Sequence, residues 1–216
     1  MKIVTKNNQK LSGAKKTREH ILDVSAKLFS KRGYNGTPLR DIAAAVNMKA
    51  GSLYYHFDSK EQLILEILTI GTENIYESVV GRVAELPANS SSRSILLAAA
   101  KGHLEALLEK GDYTSTGIRN YGQLPKPIQS KVLLVRDKYE DLWRGWLSEA
   151  KEKGDISANV DLKILRLTIL GALNRTLEWY KKGKFSVEEI AEMQFVLFWD
   201  GVAKKRTRKK TLRKSR

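Results

Sequence analysis

Residues 37–57, Thr-Pro-Leu-Arg-Asp-Ile-Ala-Ala-Ala-Val-Asn-Met-Lys-Ala-Gly-Ser-Leu-Tyr-Tyr-His-Phe, decide the fold of this 216-residue chain. Thr37-Pro38 reads as an N-cap followed by proline at the first helical position. It opens a short helix whose Leu39, Ile42, Ala43 and Val46 share one face. Asn47 tolerates the left-handed backbone that a tight turn demands. A second short helix, about 50–56, follows. Its Leu53 and Phe57 stand four apart and anchor inward, which leaves Lys49, Ser52, Tyr55 and His56 to face out, while Gly51 lets another backbone approach closely. Two short helices joined by a tight turn are the layout of a helix-turn-helix DNA reader.

The flanks supply the rest of such a unit. Ile21, Val24 and Leu28, with Leu22 and Phe29 beside them, give an amphipathic helix over 15–32, and Gly33 ends it. Ser59-Lys-Glu-Gln62 is a capping box that starts a long helix reaching about 86, with Ile64, Ile67, Leu68, Ile75 and Val79 inward. Lys60, in its first turn, is a candidate phosphate contact. Periodicity then predicts helices over 93–110, 126–153, 161–182 and 186–203, with a short one near 115–122. Ser186-Val-Glu-Glu189 is a second capping box. The expected class is all-α: an N-terminal three-helix helix-turn-helix domain, then a larger helical domain.

Charge divides the chain in the same way. Residues 1–60 carry 12 Lys+Arg against 4 Asp+Glu, residues 61–203 are nearly neutral, and residues 204–216 carry 9 basic and no acidic side chains. A basic arm (1–14), a basic head (15–60), a neutral body (61–203) and a basic tail (204–216, expected to be disordered) follow from this. A basic head on a neutral body points to a polyanionic partner. Three histidines, His20, His56 and His103, form no metal-ligand pattern, and zero cysteines leave no thiolate site or disulfide. The longest apolar run, Ile95–Ala100, is six residues, far below the roughly 20 that cross a bilayer. The polar, basic start lacks a secretory h-region. A cytoplasmic protein without membrane attachment is expected. No nucleophile–base pair, Gly-rich phosphate loop or carboxylate cluster stands in 61–203, so neither enzymatic activity nor a cofactor or metal is expected.

Thr17-x-x-x-Ile21-Leu22, Leu28-Phe29, Gly33-Tyr34-x-x-Thr37, Arg40-Asp41-Ile42-Ala43 and Gly51-Ser52-Leu53-Tyr54-Tyr55-His56-Phe57-x-Ser59-Lys60-x-x-Leu63 resemble the N-terminal signature of the tetracycline-repressor (TetR) family. The resemblance covers residues 17–63. Asn47, Met48 and Lys49 depart from it, where the family commonly has Gly, Val and Ser or Thr. It implies a homodimeric DNA-binding transcriptional regulator, a repressor, whose larger domain binds a small-molecule effector and dimerises. It implies DNA contacts by Thr37, Tyr54, His56 and Lys60 on phosphates, and by Lys49, Ser52 and Tyr55 near base edges, with Ala50 and Gly51 at the same surface. Phosphate contacts set register, and only the groove-facing group specifies the operator.

In the body, Ile128, Val132, Val135, Tyr139, Leu142, Trp143 and Trp146 trace one stripe, with Arg136 beside it. Leu162, Leu165, Ile169, Leu173, Leu177 and Tyr180 trace another, interrupted by Asn174 and Arg175. A pocket between helices, lined by rings and a few polar groups, is how a bundle binds a small molecule. Helix 186–203 is apolar nearly all round, with Val187, Ile190 and Leu197 on one side and Phe195, Trp199 and Val202 on another. It needs more cover than one chain gives, so it pairs with 161–182 across a two-fold axis. Arg119-x-Tyr121, Arg136-Asp137-x-Tyr139, Trp143, Gly171-Ala-Leu-Asn174 and Trp179-Tyr180-x-x-Gly183-x-x-Ser186 are similar to the subgroup of the family that responds to acyl-CoA thioesters. That likeness implies a hydrophobic effector, an acyl-CoA. The acyl part would lie on Trp143, Trp146 and Leu173, the phosphates on Arg119, Arg136 or Arg175, and Tyr121, Tyr139, Asn174 and Trp179 would complete the site. The competing readings are an architectural protein that coats DNA through its basic head and tail, and an enzyme retaining a DNA-binding head.

Overall fold

The computed structural model describes residues 2–108 and 111–203, and the tail at 204–216 lies outside them. Nine α-helices make up the described residues: α1 (Lys2–Arg32), α2 (Leu39–Ala45), α3 (Ala50–Tyr54), α4 (Lys60–Ala84), α5 (Ser92–Leu108), α6 (Asp112–Asn120), α7 (Lys126–Glu152), α8 (Leu162–Trp179) and α9 (Val187–Val202). A 3-10 turn, Tyr121–Gln123, joins α6 to α7. The expected all-α class holds. α1 begins thirteen residues before the expected start, at Lys2, so it takes in the N-terminal arm. Gly33, at φ 76°, ends it as read.

Two cores are built on one shared helix. The head core gathers Ile21, Ala26 and Phe29 of α1, Ile42 and Ala43 of α2, Leu53 of α3, Phe57, and Leu63, Ile64, Ile67 and Leu68 of α4. Full burial of each large side chain stabilises the head by roughly 1.5–3 kcal/mol, which is how so small a unit stays closed. Asn47 takes φ 55° in the turn between α2 and α3, as its short polar side chain allows. The body core continues from Ile75 and Val79 of α4 to Leu104, Trp143, Leu147, Ile169, Leu173, Ile190 and Phe195. The inward face read for α4 is therefore real, and it serves both cores in turn.

The caps are met with two changes. Ser186 accepts from the Glu189 N–H at 3.1 Å while Glu189 Oε2 accepts from the Ser186 N–H at 2.7 Å, a complete box. Ser59 accepts from the Gln62 N–H at 3.1 Å, but Gln62 Oε1 reaches one residue further, to the Asp58 N–H at 2.7 Å. Thr37 does not cap α2: Pro38 holds the N-cap position, with no side-chain bond. Leu197 shares the face of Ile190, seven residues before it, yet is 77 % exposed where Val187 and Ile190 are buried, so that face loses its cover towards the end of α9.

Candidate functional site

The head presents its polar residues on the outside. Lys49, Ala50, Gly51, Ser52, Tyr54 and Tyr55 are all exposed around α3, with Tyr55 at 85 %. Leu53 and Phe57 hold α3 from behind at 1–2 % exposure. The His56 ring meets Tyr55 edge-on, centroids 5.3 Å apart, and stays half-buried. Among the described residues, nothing beyond its own stretch of helix lies within 4 Å of where a Gly51 Cβ would stand. The room there is outward, towards solvent. Lys60 lies at the head of α4 with its ammonium 4.1 Å from the centre of the Tyr34 ring. Burial against that ring lowers its pKa, opposed by the neighbouring Glu61 carboxylate.

Thr37 is the exception among the expected phosphate contacts. It is fully buried, and its hydroxyl donates to the Gly33 carbonyl at 2.8 Å. Its side chain closes the turn after α1 and does not reach the surface, so the expected side-chain contact is withdrawn.

The body is hollow where the two cores meet. A cavity of about 240 Å³ is walled by Leu68, Gly71, Thr72 and Ile75 of α4, His103 of α5, Tyr113, Thr114, Gly117 and Ile118 of α6, Tyr121 of the 3-10 turn, Val132, Arg136, Tyr139 and Glu140 of α7, and Leu170 and Asn174 of α8. Gly71 lets α4 and α6 touch at the wall: a Cβ there would lie 2.5 Å from the Tyr113 carbonyl oxygen. A more open cleft of about 550 Å³ adjoins it, lined by Arg119, Gly171, Arg175 and Glu178, and shares Ile118 and Asn174 with the cavity.

Polar groups line the α5, α7 and α8 side of the cavity. The Trp143 indole N–H donates to the Tyr139 hydroxyl oxygen at 2.8 Å. That hydroxyl lies 2.6 Å from His103 Nδ1, and His103 Nε2 lies 3.0 Å from Asn174 Oδ1. Burial drives the His103 pKa down to about 4, against a smaller upward pull from Asn174, so the ring is neutral at physiological pH. The same burial raises Tyr139 far above the ordinary phenol range. Beside them Glu140 is paired with Arg166, which is 7 % exposed, and lies 3.9 Å from Arg136. The guanidinium of Arg136 stands 5.5 Å from the centre of the Tyr121 ring. Of these three charged groups, Arg136 and Glu140 line the cavity, and Arg166 is buried behind them.

Of the nine expected ligand residues, Tyr121, Arg136, Tyr139 and Asn174 line the cavity, and Arg119 and Arg175 line the cleft. The three tryptophans line neither. Trp143 is at 0 % exposure in the body core and acts behind the wall, by orienting Tyr139. Trp146 packs edge-on against it at 6.1 Å, and Trp179 is 52 % exposed at the end of α8. Leu173, expected under an acyl chain, is core as well. Sequence reasoning missed His103, Tyr113 and Glu140. A lone histidine at 103 on an alanine-rich helix was the one signal available.

α6 faces two ways. One side walls the cavity and the other grips the end of α1. Asn120, fully buried, accepts from the Tyr34 N–H at 2.6 Å and donates to the Phe29 carbonyl at 3.1 Å. Thr116 donates to the Ala26 carbonyl at 3.0 Å, Ser30 and Ser115 hydroxyls meet at 3.0 Å, and the Tyr113 hydroxyl donates to Asp23 at 2.7 Å.

Comparison with known proteins agrees with this division of the molecule. Residues 21–67 match bacterial regulatory proteins of the tetR family, and residues 90–202 match the tetracyclin repressor-like C-terminal domain. The chain belongs to the TetR family. It is a DNA-binding transcriptional regulator and not an enzyme. It is 28 % identical over 199 residues to the HTH-type transcriptional repressor KstR2 of Rhodococcus jostii (strain RHA1), covering 89 % of this chain and 94 % of that one. Over 86 residues, 39 % of this chain and 40 % of the relative, it is 40 % identical to the HTH-type transcriptional regulator AcrR of Shigella flexneri. Among solved structures, AibR in complex with isovaleryl coenzyme A and operator DNA superposes with a TM-score of 0.74 at 27 % identity, covering 84 % of this chain and 97 % of that one. No helix of the described residues of this TetR-family regulator is long and apolar enough to cross a membrane.

Proposed function

We propose that the protein is a dimeric repressor that binds a palindromic operator through α3 and is released by an acyl-CoA. The observation that carries this reading is the pairing of an exposed α3 face with a cavity and cleft connected to it through α4 and α6. The cavity suits the acyl part. At about 240 Å³ it falls just below the roughly 300–1,000 Å³ usual for drug-sized ligands, which favours a short or branched acyl group over a long fatty chain. The cleft, with Arg119 and Arg175, suits the phosphates of coenzyme A. The relation to AibR, whose solved complex holds isovaleryl coenzyme A, supports the same class.

Dimerisation follows from what one chain leaves uncovered. Ile164 and Leu167 of α8 and Met193, Val196 and Leu197 of α9 are 38–77 % exposed, an apolar patch that a second copy would bury as one half of a four-helix bundle. The polar end of α8, at Arg175 and Glu178, is left to the cleft. Effector in the cavity pushes on α4 and α6, tilts the connecting helix and changes the separation of the two α3 helices. A coupling of about 1–3 kcal/mol, roughly 5- to 150-fold in operator affinity, is enough.

Selection of bound sites from random duplex DNA, followed by release with a series of acyl-CoAs, tests the reading. The expected result is an inverted repeat with half-sites one helical turn or a multiple apart, released best by short branched thioesters. Enrichment of no sequence would favour the architectural alternative, and release by no thioester would end the acyl-CoA assignment.

A further inference from the structure

The direction of the buried hydrogen-bond chain can be worked out from its far end. Indole N–H can only donate, so the Tyr139 oxygen accepts from Trp143. If His103 Nδ1 also donated to Tyr139, the phenolic proton would be buried with no acceptor among the described residues, which costs more than a normal bond returns. Tyr139 therefore donates to Nδ1, the proton of the neutral ring is on Nε2, and Nε2–H needs an acceptor. Asn174 must then turn its Oδ1 to His103, as observed at 3.0 Å. Its NH₂ is directed away from His103 and has no bonded acceptor among the described residues. Asn174 is also one of two residues that line both the cavity and the more open cleft that holds Arg119 and Arg175.

The geometry points to Asn174 as the residue that reads the effector: its amide N–H donates to an acceptor oxygen at the point where the ligand's apolar part, in the cavity, joins its anionic part, in the cleft. The inference rests on the cavity and cleft being the effector site, and it adds that the junction atom must be a carbonyl-type acceptor. In an acyl-CoA that atom is the thioester oxygen. Trp143, His103 and Tyr139 are positioning residues that fix which way the amide points.

Isothermal titration with isovaleryl-CoA and its thioether analogue S-(3-methylbutyl)-CoA, which lacks only the carbonyl oxygen, tests this. Wild type should bind the thioester about tenfold more tightly. Asn174→Asp keeps an acceptor for His103 but presents oxygen to the ligand, so the ratio should fall to one or below. Any effect of the added charge on coenzyme A acts on both probes and cancels in the ratio. A purely structural role would weaken both probes and keep the tenfold ratio, which would overturn the inference. A wild-type ratio near one would overturn it too, while leaving the acyl-CoA class standing. If neither CoA compound binds, methyl hexanoate against hexyl methyl ether asks the same question without coenzyme A: discrimination by wild type and not by Asn174→Asp upholds the role of Asn174 and removes only the CoA class, and binding of neither removes both. Nitrogen NMR of the His103 ring gives a ligand-free check. The expected form carries its proton on Nε2, and a proton on Nδ1 would reverse the amide and sink the proposal.

Discussion

Head and body solve opposite problems with the same kind of helix. The head closes a core of its own around Phe29, Ile42, Leu53 and Phe57 and carries its candidate DNA contacts on the outside, between Lys49 and Tyr55. The body holds its candidate ligand site inside, in a cavity drawn from five helices, and leaves apolar area uncovered on α8 and α9. An outward site can be cut away without touching the core, whereas an inward site is part of the packing. Substitutions in the two regions should therefore separate binding from stability.

The head should show the larger loss of function. Tyr55 is 85 % exposed, so Tyr55→Ala removes little packing. If its ring reads a base edge at about 1–3 kcal/mol per contact, two copies per dimer cost about 2–6 kcal/mol, or ~30-fold and upward in operator affinity. A gel-shift titration alongside thermal melting measures both. Unchanged operator affinity would move the groove assignment away from Tyr55, and a collapsed melting temperature would show that the head is not the closed unit described.

In the body the matching test is stability. His103 is protonated in the unfolded chain below pH about 6.5 but in the folded protein only near 4. Between those values the unfolded state binds more protons, so stability is complete above about pH 6.5 and falls as the pH drops towards 4. The loss is on the order of 3 kcal/mol. Denaturant titrations across that window should show it in wild type and not in His103→Gln, whose amide does not titrate. Equal pH dependence in the two proteins would mean that His103 is more accessible than its burial implies.

This contrast also explains what could be read from the amino-acid chain. Most of the head's candidate DNA contacts lie within twelve positions, 49–60, and alternate with core anchors at helical spacing, so periodicity alone separates Tyr55 from Leu53. Thr37 misled because an exposed N-cap and a buried turn-closing hydroxyl have the same sequence pattern before Pro38. In the body, stripe position does not tell cavity wall from core. Tyr139 and Trp143 are neighbours on one face of α7, yet one touches the cavity and the other stands behind it. His103, Gly71 and Glu140 reach the site only through the packing of α4, α5 and α7, and no local spacing encodes that arrangement. The uncovered side of α9 was legible as a helix apolar nearly all round, and the exposed Leu197 marks where one chain's cover of it runs out.

The smallest expected effect bears on how the regions communicate. Both α4 and α6 run from the cavity to the head, but they differ in kind. α4 is shared core, continuous from Leu63 to Val79, and would transmit a tilt as a rigid rod. α6 holds the end of α1 by hydrogen bonds, chiefly through Asn120. Asn120→Ala strands the buried Tyr34 N–H, while the Phe29 carbonyl keeps its bond from the Gly33 N–H at 3.0 Å. The expected cost is about 1–3 kcal/mol of stability, small enough to leave a folded, operator-binding dimer. If α6 carries the signal, the effector-induced drop in operator affinity should shrink from its 5- to 150-fold range towards one in this variant. If the rod alone carries it, Asn120→Ala lowers the melting temperature and the effector releases the operator as fully as in wild type. Operator titrations with and without the proposed acyl-CoA effector, on both proteins, therefore assign the coupling to packing or to hydrogen bonds.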